Sequence, residues 1–217
     1  MNALTILSAG RTGQMHIAKA GPHAMLASNY RRRVARSETG CSTEYGSDKV
    51  KYPRVVFTDP LGDFDHEDQP LFDSLKTLIG KARHTIEIHG YALNSLTAES
   101  NGVFNESLEK SIGIGAILRV FGDDSSQLES IKSAMIHNGK IPECYAWKGT
   151  GLYHIKAISI DSRYVYMGSA NFSDAAMGKG RKNNNAEWGT IIESNFMASE
   201  LSRFSSYLIE SGMLESV

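Results

Sequence analysis

Residues 154–173 read HIKAISIDSRYVYMGSANFS, and this stretch decides how the chain is to be understood. In an extended backbone His154, Lys156, Ile158 and Ile160 fall at every second position and point to one side. A basic nucleophile candidate and a cation then share a surface. Asp161-Ser162-Arg163 is turn-like, and Tyr164 to Met167 is a second β-rich run. That run ends in Gly168-Ser169-Ala170-Asn171, small residues that let the backbone approach a ligand closely.

Working outward, the chain from Pro53 onward alternates strand-like and helix-like segments. The pattern predicts strands over 54–58, 85–89, 116–121, 143–147 and 188–193. Helices are expected over 70–83, 103–112, 127–138 (closed by Gly139) and 196–210. Such alternation argues for an α/β fold with a mixed, mostly parallel sheet flanked by helices on both faces, antiparallel at the 154–168 hairpin. No internal repeat is visible, so the hairpin occurs once.

Composition sets the outer limits. The chain has 217 residues, 41% of them hydrophobic and 22% charged, enough for one sizeable core. Its two cysteines, Cys41 and Cys144, are far apart and support neither a disulfide framework nor a cysteine zinc site, which suits a reducing cytoplasm. No apolar window approaches the ~18 residues of a membrane span, and the N-terminus lacks a basic region before its short apolar run. The expectation is therefore a cytoplasmic protein without a membrane partner.

The 23 Lys+Arg and 24 Asp+Glu nearly balance, yet residues 1–54 hold nine positive and three negative side chains. Arg31, Arg32, Arg33 and Arg36 form the densest piece. Contact with a polyanion and a solvated basic lead-in are both open readings of it. Two domains follow: a basic extension over 1–52 and a catalytic domain over 53–217.

His154-x-Lys156-x4-Asp161, followed by Gly168-Ser169-x-Asn171, resembles the HKD signature of the phospholipase D superfamily, and Glu187 stands where that family keeps a carboxylate. The stretch LFDSLKTLIGKARHTIEIHGYAL before it resembles the opening of the superfamily's catalytic domain, so the likeness covers roughly 53–210. One position departs: several relatives have Asn after the Glu, whereas Trp188 follows Glu187, and no role is carried over to it. The resemblance implies that Asp161, at the far end of the strand from His154, is a structural anchor.

Chemistry gives the other residues roles. A phosphodiester resists nucleophiles because its negative oxygens repel them, so a site needs cations and donors on those oxygens. Lys156 and Asn171 can supply them, with the Ser169 hydroxyl and the turn amides at Gly168. A neutral imidazole can attack phosphorus and form a phosphohistidine, which makes His154 the candidate nucleophile. Glu187 is the candidate to accept the other ring proton and fix the tautomer. This mechanism requires no metal and no cofactor.

One histidine attacks, yet the leaving oxygen also needs a proton donor. Single-motif members of the superfamily bring two chains together, which implies a homodimer with His154 of both copies at a shared site. The short single-motif form also resembles bacterial endonucleases of the superfamily. A nuclease on DNA or RNA is accordingly expected, with nucleic-acid contacts from the arginines above and from Lys179, Arg181 and Lys182 in the loop 178–185. A phospholipase or phosphatidyl transferase is the alternative, as is a catalytically silent nucleic-acid-binding subunit. Some relatives act with partner proteins in restriction or phage-defence systems. His66, among the acidic residues of 59–68, reads as part of a solvated loop in preference to a metal site. His89 and Tyr91, at the end of a strand that points to a ligand crevice, are expected to pack in the core.

Overall fold

The computed structural model describes residues 5–9, 15–19, 54–60, 70–96, 104–136, 139–179 and 184–217. The arginine cluster 31–36, His66, Arg181 and Lys182 lie outside them. The chain divides into two compact units, Met1–Lys49 and Val50–Val217. In the first, strands β1 (Thr5–Ala9) and β2 (Met15–Lys19) pair antiparallel, with Leu7 opposite Ile17.

The second unit is built on strands β3 (Arg54–Thr58), β4 (Thr85–Gly90), β5 (Ile117–Gly122), β6 (Glu143–Trp147), β7 (Ala157–Ile160), β8 (Tyr164–Gly168), β9 (Glu187–Glu193) and β10 (Leu214–Ser216). They form one sheet in the order β10-β6-β5-β4-β7-β8-β9-β3. Helices α1 (Leu71–Ile79), α2 (Asn105–Gly113) and α3 (Ser125–Ala134) send Leu71, Leu75, Ile79, Leu108, Ile112, Leu128 and Ile131 onto the face that carries Ile86, Ile88, Ile158 and Tyr166. Helix α4 (Asn195–Glu210) covers the other face, where Leu208 joins Phe121 and Leu214, and where Ser202 donates to Glu87 at 2.7 Å. The fold is thus mixed α/β with helices on both faces, as the alternation implies.

Parallel pairing is less extensive than the alternation suggests. Among the described residues, only β4–β5 and β5–β6 are parallel, and the other five pairings of the sheet are antiparallel. A parallel pair needs a helical crossover. Helices α2 and α3 supply one after β4 and after β5, but β7, β8 and β9 follow one another with no helix between them among the described residues.

Local chemistry fixes the element ends. Asp124 caps α3 by accepting from the Ser126 and Gln127 amides, and Ser194 caps α4 by accepting from that of Met197. Helix α3 stops at Ala134, so Gly139, at φ 76°, lies past its end and does not close it. The short β10 edge strand, with two of its three residues exposed, carries too little alternation to be read from sequence.

Candidate active site

The register places the motif residues at one edge of the sheet. His89 lies opposite Ala157, Ala157 opposite Met167, Gly168 opposite Gly189, and Glu187 opposite Thr58. The carboxyl ends of β3, β4 and β8 and the amino ends of β7 and β9 therefore meet there, the place where an α/β sheet opens a crevice.

His154 and Lys156 stand just outside the ladder, which begins at Ala157, although the Lys156 carbonyl still accepts from Gly168 at 3.3 Å. The Lys156 ammonium lies 3.1 Å from His154 Nε2 and 3.4 Å from Nδ1. Partial burial holds Lys156 below its ordinary pKa, and the nearby Glu187 carboxylate offsets part of that shift. His154 is exposed, with the Tyr91 ring 5.7 Å from its own.

The residue before it is anchored in the core. Tyr153 is buried, and its hydroxyl sits 2.7 Å from Nδ1 of His89, which stacks on Phe121 at 4.5 Å. Full burial drops the His89 pKa to about 3, so this imidazole stays neutral. Core packing is therefore its role, as expected. Tyr91 departs from the same expectation: it is 39% exposed and borders His154. Its place just past β4, at the carboxyl end, was the signal for a site residue.

Ser169 and Glu187 are brought together directly. The hydroxyl donates to Glu187 Oε2 at 2.5 Å, the Trp188 amide donates to that hydroxyl at 3.1 Å, and the Ser169 amide donates to the Trp188 carbonyl at 2.9 Å. Gly168 permits this approach, since a Cβ there would come within 2.6 Å of the Tyr166 hydroxyl and 2.7 Å of the Trp188 carbonyl. Asn185, which the motif reading did not single out, donates its side-chain amide to Glu187 Oε1 at 3.0 Å. Within one chain the Glu187 carboxylate accepts from Ser169 and Asn185 and makes no hydrogen bond to His154.

Asn171 sits on a turn stapled to the loop after β4: the Phe172 amide donates to the Ala92 carbonyl, and the Phe172 carbonyl accepts from the amide and hydroxyl of Ser95. Asn171 Oδ1 is buried with no hydrogen-bond partner among the described residues. The polar loop that follows is gated at both ends. The Lys179 amide donates to the Asp174 carbonyl at 2.7 Å and the Asn185 amide to that of Ala175 at 2.9 Å. The Lys179 ammonium lies 4.3 Å from the centre of the Phe72 ring.

Asp161 is at the opposite end of the sheet from His154. Its carboxylate accepts from the backbone amides of Arg83, His84 and Thr85 at 2.7–3.1 Å, and its own amide donates to the Thr85 carbonyl. It thus ties the β7–β8 turn to the start of β4. Partial burial pushes the Asp161 pKa up, but the three amide donors outweigh it and the net shift is downward. No group of three or more His, Cys, Asp or Glu side chains among the described residues is arranged to hold a metal ion, and no described helix is long and apolar enough to cross a membrane.

A family model described as cardiolipin synthase, PLD-like domain, matches residues 75–208, most of the chain and all of the constellation above. The chain belongs to the phospholipase D superfamily. Family membership supports phosphodiesterase-type activity in general terms. No curated protein matches the sequence. Among solved structures, NucT from Helicobacter pylori is similar at 17% identity and a TM-score of 0.51, over 67% of this chain and 89% of its own. Nuc from Salmonella typhimurium, a phospholipase D family member, is similar at 15% identity and 0.53, over 76% of this chain and 97% of its own. Phosphatidylserine synthase from Haemophilus influenzae Rd KW20 is similar at 12% and 0.51, over 92% of this chain but 48% of its own length.

Proposed function

We propose that this protein is a metal-independent nuclease that cuts a nucleic-acid phosphodiester through a phosphohistidine at a site shared by two copies. The observation that carries the reading is the Lys156 ammonium 3.1 Å from His154 Nε2, beside the Ser169–Glu187 pair. The ammonium lies within 3.4 Å of both ring nitrogens, so it is off the in-plane lone pair of either, and a phosphate oxygen that it binds is brought beside the imidazole.

The nitrogen attacks phosphorus, a P–N bond forms, and the bond to the leaving oxygen breaks as that oxygen takes a proton from His154 of the second copy. Water then gives a proton to that second imidazole and attacks phosphorus, releasing His154. Lys156 and the side-chain amide of Asn171 hold the phosphoryl oxygens, while Glu187 holds Ser169 and supports the charge on Lys156. Nucleic acid is the favoured substrate on the strength of the basic segment around Arg31–Arg36 and the polar loop 178–185.

Phosphatidyl transfer is the second reading, favoured by the family model's description as a cardiolipin synthase. Incubating the purified protein with labelled single- and double-stranded DNA, RNA and phospholipid vesicles, all in EDTA, separates the two. Nucleic-acid cleavage lost in His154→Ala is expected. Strict dependence on added Mg²⁺ or Zn²⁺ overturns the mechanism.

A further inference from the structure

Strand β9 does two things with Trp188. Its main chain holds Ser169, a task any residue could perform, while its indole is left 56% exposed beside the site. Phe57 is the cross-strand partner of Trp188, so the two rings share one face of the β3–β9 pair. Helix α4, on that same side of the sheet, packs chiefly on β7, β8 and β10 and leaves this corner to the aromatic pair. A cavity of about 370 Å³ opens there, with Phe57, Asp59, Pro60 and Trp188 around it and Ser169 and Glu187 as its inner wall.

We propose that this cavity is a nucleobase subsite, in which Trp188 and Phe57 stack on an unpaired base next to the scissile phosphate. The inference rests on the nuclease reading and specifies its substrate as a strand whose base can leave the stack. Two carboxylates, Asp59 and Glu187, line the cavity and repel a phosphate, so the neutral part of a substrate belongs in it. An acyl chain would strip water from the Asp59 carboxylate and return nothing to it. A base presents its π face to the indole and its amino edge to a carboxylate, satisfying both walls. In a duplex that face is already stacked on its neighbours, so paired strands reach the subsite only by opening.

The test uses short oligonucleotides with one cleavable phosphodiester between methylphosphonates, the two flanking nucleosides either carrying bases or abasic. Wild-type protein should cleave the base-bearing strand about 5- to 150-fold better in kcat/KM, the equivalent of the ~1–3 kcal/mol of one stacked base. In Trp188→Ala that preference should collapse towards unity, and Trp188→Phe should keep most of it. Binding gives a second readout: the base-bearing strand should quench tryptophan emission in His154→Ala and not in His154→Ala/Trp188→Phe. Equal cleavage of both strands by wild type, or an unchanged preference in Trp188→Ala, overturns the subsite and leaves the nuclease reading intact. Turnover of phospholipid vesicles with both strands untouched overturns the nuclease reading and the subsite together. A Trp188→Ala variant that sediments as a monomer where wild type is a dimer assigns the aromatic pair to a second copy instead, and also overturns it.

Discussion

Asp161→Ala should weaken the fold and leave the chemistry in place. Three backbone amides, those of Arg83, His84 and Thr85, point at one carboxylate. A hydrogen bond to a charged acceptor is worth ~1.5–3 kcal/mol when buried, and partial exposure with water as a substitute brings each here to ~1 kcal/mol. Asp161 also sits at φ 53°, a left-handed conformation that costs alanine a further ~1 kcal/mol. The loss should total ~4 kcal/mol, and for a unit of this size a melting temperature lower by roughly 8–16 °C. Asp161→Asn keeps one acceptor and tolerates the backbone, so it should lose about half as much. Urea midpoints at constant m-value measure both. The sign with pH follows from the depressed carboxyl pKa. The contribution of the carboxylate is present above the unfolded value near 3.9 and is lost as pH falls through the lower folded value, so the gap between wild type and Asp161→Ala should narrow in acid towards the ~1 kcal/mol of the backbone conformation. An alanine variant within ~1 kcal/mol of wild type at neutral pH refutes the anchor.

Lys156→Ala and Glu187→Gln should lower kcat by about 10²- to 10⁴-fold with melting temperatures near wild type, and a matching loss of stability would return them to a structural role. His89 is held neutral with a pKa of about 3 against 6.5 in an unfolded chain. The unfolded state thus binds a proton the fold refuses, and stability should fall by up to ~1.4 kcal/mol per pH unit between those values, a slope that His89→Gln removes in chemical denaturation against pH. On the shared-site proposal, heterodimers of wild type and His154→Ala should lose nearly all multiple turnover, and half the wild-type rate refutes it. Deleting residues 1–52 should flatten the salt dependence of polyanion binding, and an unchanged slope in a filter-binding titration leaves those arginines as a solvated lead-in.

The 154–173 stretch was legible because period-two alternation, a turn-like Asp-Ser-Arg and a small-residue tail are local signals. The anchoring role of Asp161 came from family likeness, but its partners Arg83–Thr85 are 76 to 78 residues away, and no local pattern names them. The same limit hid the link of Glu187 to Ser169 and Asn185, which depends on β8 and β9 lying side by side. Sheet direction was misjudged where helices stop separating strands, since hydrophobic periodicity reports an element and not its neighbour. Tyr91 escaped for a further reason: an aromatic residue reads as core until burial is known.

The loop between Lys179 and Asn185 enters and leaves through two backbone hydrogen bonds, to Asp174 and Ala175. Glu187 starts β9 two residues after the second of them, so the carboxylate is tied to the segment after Asn171 through Ala175 as well as through the β8–β9 ladder, and a change that breaks the Asn185–Ala175 bond reaches Glu187 without touching it.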